Sequence, residues 1–103
     1  MQRAIDRVLR FAPADRQAFE SDEMRRDSIE RNLITLGDAA TRVTREFQDV
    51  HPEIPWRQII GMRNVLTHDY EDIDPGIVWN VVVNDMPVLR DAIAALRASA
   101  SDA

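Results

Sequence analysis

A stripe of apolar residues in the first half of the chain constrains the fold more than any other sequence feature. Its members are spaced 4, 3, 4, 3 and 4 residues apart, namely Ile29, Leu33, Leu36, Ala40, Val43 and Phe47. Because an α-helix makes one turn every ~3.6 residues, this spacing keeps the side chains on one face over about five turns. The sequence therefore predicts a long core helix from about residue 22 to residue 48.

Small residues lie at the centre of this stripe. Gly37, Ala39 and Ala40 carry little side-chain bulk, so another helix can approach closely there. Glycine costs up to about 1 kcal/mol of helix propensity relative to alanine, and a close approach would offset that cost. The sequence predicts a tight helix crossing at this point.

Prolines and capping residues divide the rest of the chain. A short helix is predicted over residues 1–11 and another turn or two over residues 15–20. Pro55 opens a third helix over about residues 55–68, and Asp74 with Pro75 begins a fourth. Pro87 predicts a kink or a split in that last helix.

These elements predict a single domain over residues 1–103 with an all-α fold. The architecture is an up-down bundle of four principal helices, in which residues 98–103 are expected to fray. At 103 residues the domain is small, so a second copy is a common way to bury more surface.

Composition limits the function classes. The net charge is −5, and all 13 basic residues are arginines. An acidic chain lacks the basic footprint of a protein that coats duplexes, which counts against extended, nonspecific duplex binding. If the substrate is RNA, the chain is expected to contact a short single-stranded or looped segment through a few phosphates. The absence of cysteine excludes disulfides and thiolate metal sites. No apolar run approaches the roughly 18 residues of a membrane span, and the chain is expected to be soluble and cytoplasmic.

The residues able to carry chemistry gather in one segment, residues 59–70. It contains Arg63, His68 and Tyr70 in the pattern Arg-x4-His-x-Tyr. Arginine offers a planar charged fork that suits phosphate, and histidine has an ordinary pKa of about 6.5 that suits proton transfer. On one straight helix, Arg63 and His68 would lie about 140° apart in azimuth and about 7.5 Å apart along the axis. Either the helix loosens before His68, or the site combines residues from two protomers.

Each of these residues also has an ordinary structural interpretation. Arg63 can be a surface arginine paired with a carboxylate, and His68 can simply end a helix, where the dipole favours its cation. Asn64 can position a phosphate or cap exposed backbone. Asp38 can steer an arginine or histidine of the site or form an ordinary ion pair. Tyr70 is more often a packing residue with its hydroxyl in water.

The remaining candidates are interpreted as structural. His51 lies in a loop, and Trp56 and Trp79 are expected in the core or an interface. Two histidines seventeen residues apart, without cysteine, do not make a metal-ligand set. The acidic turn could hold a hard cation only loosely, and no metal and no cofactor are predicted; its candidate ligands are Asp69, Asp72 and Asp74.

The motif belongs to an ordered set of residues that resembles the HEPN superfamily, specifically the HepT-like toxins of MNT/HEPN toxin-antitoxin pairs. The resemblance covers roughly residues 20–97 and runs through residues 26–33, 36–40, 51–56, 61–64, 68–70 and 77–79. An Arg-x4-His spacing alone would be a weak signal, whereas the ordered set is specific. The departures are Asp38, where glutamate is more usual, and Asp69 between the histidine and the tyrosine.

The resemblance implies a toxin of a type VII-like system, a metal-independent endoribonuclease that cleaves tRNA or mRNA as a homodimer. Arg63 and His68 would be catalytic, with Asn64 and Asp38 in support. Tyr70 would be the residue to which an MNT-type nucleotidyltransferase antitoxin transfers AMP, which silences the toxin. The alternative is a non-catalytic helical module that binds a nucleotide or docks a nucleotidyltransferase.

Overall fold

The computed structural model describes residues 1–68 and the backbone of residues 73–102, with side chains as far as residue 98. The helices in chain order are α1 (Gln2–Phe11), α2 (Arg16–Ser21), α3 (Glu23–Thr41), α4 (Arg45–Val50), α5 (Trp56–His68), α6 (Pro75–Asn80), a π turn (Val81–Asp85) and α7 (Met86–Asp102). No β-strand occurs among these residues, so the all-α class predicted from the sequence is confirmed.

The long core helix is shorter than its apolar stripe predicted. It ends at Thr41, and a separate helix begins at Arg45. Thr44 starts this second helix, because its hydroxyl accepts a hydrogen bond from the N–H of Phe47 at 3.2 Å. Phe47 remains 43% exposed, so the end of the stripe leaves the core. The prediction of one helix to residue 48 was therefore wrong.

The tight crossing predicted at the centre of α3 is confirmed, and its partner is α5. A Cβ atom built on Gly37 would overlap the Cβ of Arg63 and lie 2.7 Å from its Cγ. The backbone carbonyl of Ile59 would be 3.2 Å away. Only glycine leaves room for α5 at this distance, so the crossing depends on the missing side chain.

The core lies where α1, α3, α5 and the C-terminal helices meet. Phe19 of α2 joins it and packs against Trp79 with ring centroids 5.4 Å apart. Each large side chain buried in this way stabilises the fold by about 1.5–3 kcal/mol. The largest fully buried side chains are Phe19, Ile5, Ile29, Leu36, Ile59, Leu66, Met86, Leu89, Val8 and Val78.

The last helix begins and bends where the sequence predicted. Asp74 caps it by accepting a hydrogen bond from the N–H of Gly76 at 2.9 Å, with Pro75 at the first position. The π turn ends just before Pro87, and the N–H of Met86 reaches back to the carbonyl of Val81. Proline has no N–H and its ring crowds the preceding turn, so a wider turn at this point relieves the conflict. The backbone of α7 continues to Asp102, and fraying from residue 98 stays a prediction.

None of the helices within the described residues combines the length and apolar character needed to cross a membrane.

Candidate active site

Arg63 lies at the α3–α5 crossing and is fixed from two sides. Its stem packs where Gly37 has no side chain. Its Nε donates to Asp38 Oδ1 at 2.6 Å, and its Nη1 donates to Asn64 Oδ1 at 2.9 Å. Asp38 and Asn64 thus hold the guanidinium of a side chain that is 33% exposed.

This arrangement favours orientation over stability. The Asp38 side chain is 40% exposed, and a solvent-accessible ion pair of this kind contributes at most about 1 kcal/mol to folding. A short charge-assisted bond nevertheless fixes the plane of the guanidinium. Within the described part of the chain no acceptor bonds to Nη2, so this edge of Arg63 can bind a phosphate oxygen.

Asp38 forms an ion pair with Arg63. This contact fits both roles considered for Asp38, and the steering role stays a prediction. Asn64 has a contact that the sequence did not predict. Its carbonyl oxygen accepts from Arg63, which leaves its amide nitrogen for another acceptor. Both residues therefore lie next to the guanidinium from different helices.

His68 ends α5, and its side chain is exposed. The helix remains α-helical up to this residue, so it does not loosen between Arg63 and His68. Five residues of regular helix place the two about 140° apart in azimuth and about 7.5 Å apart along the axis. Of the two alternatives left open by the sequence, a helix that loosens before His68 is not found, and a site completed by a second copy stays a prediction.

One exposed face of α5 runs from Arg57 through Gly61 and Asn64 to His68. These residues follow one another at 4, 3 and 4 positions, which is the spacing of a helical stripe. A Cβ atom built on Gly61 would meet nothing within 4 Å. Gly61 is therefore not needed for packing inside the chain, in contrast to Gly37.

Three residues named from the sequence lie outside the described residues. They are Tyr70, the predicted AMP acceptor, and Asp69 and Asp72 of the acidic turn. Among the residues that the structure does describe, no three histidine or carboxylate side chains come together in a way that could hold a metal ion.

His51 and the two tryptophans make structural contacts. His51 Nδ1 lies 3.0 Å from Glu53 Oε1, and the backbone carbonyl of His51 accepts a hydrogen bond from Trp56 Nε1 at 3.0 Å. The pKa of Glu53 is lowered, first by a hydrogen bond from its own backbone N–H and then by the His51 ring. Trp79 packs on Phe19. These contacts agree with the structural interpretation of the three residues.

Sequence reasoning missed one functional aspect of the site. It placed a tight crossing at Gly37 but did not predict that Arg63 fills the space. Gly37 and Asp38 are adjacent but about 100° apart around α3, so their spacing alone does not place one arginine against both. The contact depends on how α5 crosses α3.

Comparison with known proteins finds relatives that are named as ribonucleases. A protein of Thermococcus cleftensis named as a probable ribonuclease HepT is 34% identical over 79 residues, which cover 77% of this chain and 72% of that protein. A protein of Methanocaldococcus jannaschii, named as a candidate RNase, is 30% identical over the same shares. No solved structure matches significantly. The family model described as "Ribonuclease HepT-like" matches residues 1–96, and the chain therefore belongs to the HepT-like ribonuclease family.

Proposed function

We propose that this chain is a metal-independent endoribonuclease whose active site forms between two copies, with Arg63 and His68 of both copies facing one cleft. The observation that carries the proposal is the orientation of Arg63 by Asp38, which leaves its Nη2 edge available for phosphate. A purely structural arginine would gain little from this arrangement, because the pair is too exposed to stabilise the fold strongly.

The chemistry follows from what RNA cleavage requires. The ribose 2′-oxygen loses a proton and attacks the adjacent phosphorus, and the bond to the leaving 5′-oxygen breaks as that oxygen gains a proton. An imidazole with an ordinary pKa near neutrality can take or give a proton in either transfer, which is the role proposed for His68. Arg63 would stabilise the negative charge that builds on the pentavalent phosphorane. Asp38 and Asn64 would hold Arg63 in place.

The shared site is supported by the exposed face of α5. Gly61 is open to solvent in one copy, so a second helix could approach there as closely as α5 approaches Gly37 of α3. A two-fold axis near Gly61 would bring His68 of one copy toward Arg63 of the other. This arrangement satisfies the geometry of a helix that stays regular up to His68.

Mixing two inactive variants tests the shared site. If each site draws its arginine and histidine from different copies, mixed Arg63→Ala and His68→Ala chains should recover part of the activity that each lacks alone. A monomer at micromolar concentration in analytical ultracentrifugation, with full nuclease activity, would refute the shared site. Failed complementation alone would not, because both sites can require all four residues.

The reaction itself is tested by a nuclease assay on mixed tRNA and mRNA in excess chelator. Wild-type protein should cleave, and His68→Ala should fold normally, as shown by an unchanged thermal transition, but not cleave. Full cleavage by folded His68→Ala would remove His68 from the mechanism. Cleavage that disappears with chelator and returns with a divalent cation would overturn the metal-independent part.

Regulation by AMP transfer is a further part of the proposal and rests on the family resemblance. The chain would be the toxin of an MNT/HEPN pair in the cytoplasm, and its nucleotidyltransferase would add AMP to Tyr70, two residues after His68. A bulky anion at that position would occupy or repel the path of the substrate phosphate. With the partner enzyme, Mg²⁺ and ATP, Tyr70 should gain AMP while Tyr70→Phe should not, and mass spectrometry that places AMP elsewhere would contradict this.

The second candidate function is a non-catalytic module that binds a nucleotide or docks the nucleotidyltransferase. The net charge of −5 favours it, because an acidic surface repels RNA at long range. The chelator assay separates the two functions. A folded wild-type chain that binds the nucleotidyltransferase but cleaves no RNA would support the module.

A further inference from the structure

A groove between α1 and α3 reverses the local charge of this acidic chain. Arg3, Arg7 and Arg10 line it from successive turns of α1, and Arg31 lines it from α3. All four side chains are exposed. The lining includes four of the 13 basic residues of the chain and none of its 18 acidic residues. We call these four residues the arginine groove.

The four residues of the arginine groove form no ion pair inside the described part of the chain. Other arginines there form ion pairs, such as Arg25 with Asp22 at 3.7 Å and Arg45 with Asp49 at 3.6 Å. No ion pair within 4.0 Å among the described residues involves a member of the arginine groove. Four guanidinium groups that line one groove without an ion-pair partner make its potential positive, so the groove suits an anionic ligand, although Arg31 also borders a pocket with Asp27 and Glu30.

An aromatic side chain lies at one end of the groove. Phe11 is 37% exposed, and the guanidinium carbon of Arg10 lies 5.5 Å from the centre of its ring. Proteins that bind single-stranded nucleic acid combine a positive track for phosphates with an exposed ring on which a base stacks. Both elements occur here, whereas an acidic peptide would need only the charges.

Arg31 of the arginine groove and Asp38, the partner of Arg63, lie on one face of α3. Arg31 and Asp38 are seven residues apart on this helix, which places them about 20° apart in azimuth and about 10.5 Å apart along the axis. Asp38 in turn holds the guanidinium of Arg63. A strand with one phosphate at Arg63 can therefore continue along α3 toward Arg31 and reach α1.

We propose that the arginine groove binds the backbone of single-stranded RNA on one side of the cleaved phosphate, with a base stacked on Phe11. The inference rests on the proposed function, since it takes the ligand to be the substrate RNA. Arginine presents a planar fork that matches phosphate oxygens, and three arginines along one helix face offer successive phosphates a series of contacts. The substrate class is thus RNA with an unpaired segment that extends beyond the cleavage site.

Binding to an unstructured, fluorescently labelled RNA of about 16 nucleotides tests the proposal, measured by anisotropy in the His68→Ala background so that the RNA stays whole. The test variant carries Arg3→Gln, Arg7→Gln and Arg10→Gln, which keep a helix-forming side chain at exposed positions. Its Kd should rise by about tenfold or more. The slope of log Kd against log salt should fall by about 2, since each phosphate contact on a single strand contributes about 0.7.

A control variant matches the change in charge. Arg25→Gln, Arg45→Gln and Arg90→Gln remove three exposed arginines that pair with carboxylates outside the groove. This control should change Kd and the salt slope much less than the groove variant. Equal effects of the two variants would show that only net charge matters and would overturn the proposal. Arg31→Gln alone should lower the slope by about 0.7, which checks the α3 side.

The outcomes also separate this inference from the proposed function. Groove-dependent RNA binding by a wild-type chain that cleaves nothing would support the groove and overturn the nuclease. RNA cleavage by groove variants that also bind RNA as tightly as wild type would support the nuclease and overturn the groove. If the groove variant keeps RNA binding but no longer binds the nucleotidyltransferase in a pull-down, the groove belongs to that partner and the RNA proposal is wrong.

Discussion

Substituting alanine at Gly37 and at Gly61 should have opposite effects on stability, although both glycines lie inside helices. A Cβ at Gly37 would overlap the Cβ of Arg63 and approach the backbone of Ile59 within 3.2 Å, so α3 and α5 would have to separate. A Cβ at Gly61 would meet nothing within 4 Å. The chemical change is the same, and only the surroundings differ.

The magnitudes follow from two opposing contributions. Alanine gains about 1 kcal/mol of helix propensity over glycine at either position. At Gly37, overpacking against an atom next to the backbone costs about 1–3 kcal/mol, and the deep overlap places this site in the upper half of that range. Gly37→Ala should therefore destabilise the fold by about 1–2 kcal/mol, or lower Tm by about 4–16 °C. Gly61→Ala should raise the free energy of unfolding by up to about 1 kcal/mol.

Thermal unfolding followed by far-ultraviolet circular dichroism measures both effects, at two protein concentrations tenfold apart. At the lower concentration the contribution of dimerisation is smallest, and Gly61→Ala should exceed wild type in Tm. If α5 helices of two copies meet at Gly61, the rise in Tm from the lower to the higher concentration should be smaller for Gly61→Ala than for wild type. A Gly37→Ala protein as stable as wild type would refute the tight crossing. A Gly61→Ala protein that behaves like Gly37→Ala at low concentration would refute the open surface.

Three further predictions concern single side chains on α3 and at the start of α4. Asp38→Asn should lower kcat/KM for RNA by about tenfold, which is a loss of about 1.4 kcal/mol of transition-state stabilisation. Tm should change little, because the ion pair with Arg63 is partly exposed. Unchanged kinetics would reduce Asp38 to an ordinary ion pair. Burial, followed by the charge of Asp27, raises the pKa of Glu30 above 4.5, so its charged form is disfavoured in the folded chain above that pH. Glu30→Gln should then raise Tm at pH 7 by about 2–4 °C, and the gain should disappear as the pH falls toward about 4; a gain that persists there would contradict this cause. Thr44→Ala should lower the free energy of unfolding by about 1 kcal/mol through loss of the cap on α4. Faster amide hydrogen exchange confined to α4 would confirm this.

The sequence predicted those parts of the fold that depend on local spacing. The third helix, the start of the fourth at Pro75 and the bend near Pro87 follow from proline chemistry and caps, which act within a few residues. The length of α3 did not follow, because the apolar period continues through Val43 and Phe47 after the chain has turned. Periodicity cannot distinguish one helix from two that keep the same phase, whereas the Thr44 cap marks the start of the second one.

The candidate site was predictable in its residues but not in its contacts. Arg63, His68, Asn64 and Asp38 were chosen from spacing and family resemblance. That Asp38 and Asn64 both bind Arg63 depends on how α3 and α5 cross, and this is a tertiary fact. The arginine groove also went unnoticed, because α1 and α3 contribute its members from distant parts of the chain. Its α1 side was visible as arginines at positions 3, 7 and 10, which is a helical stripe.

The arginine groove has a consequence for how this surface could be controlled. Arginine stays charged at every pH at which a protein is folded, and the chain contains no lysine whose charge acetylation could remove. The charge of the groove is therefore independent of pH and of lysine acetylation. Control must come from covering the groove with another molecule or from adding negative charge beside it. Ser28 and Thr35, which also line the groove, are the hydroxyls at which phosphorylation would have that effect.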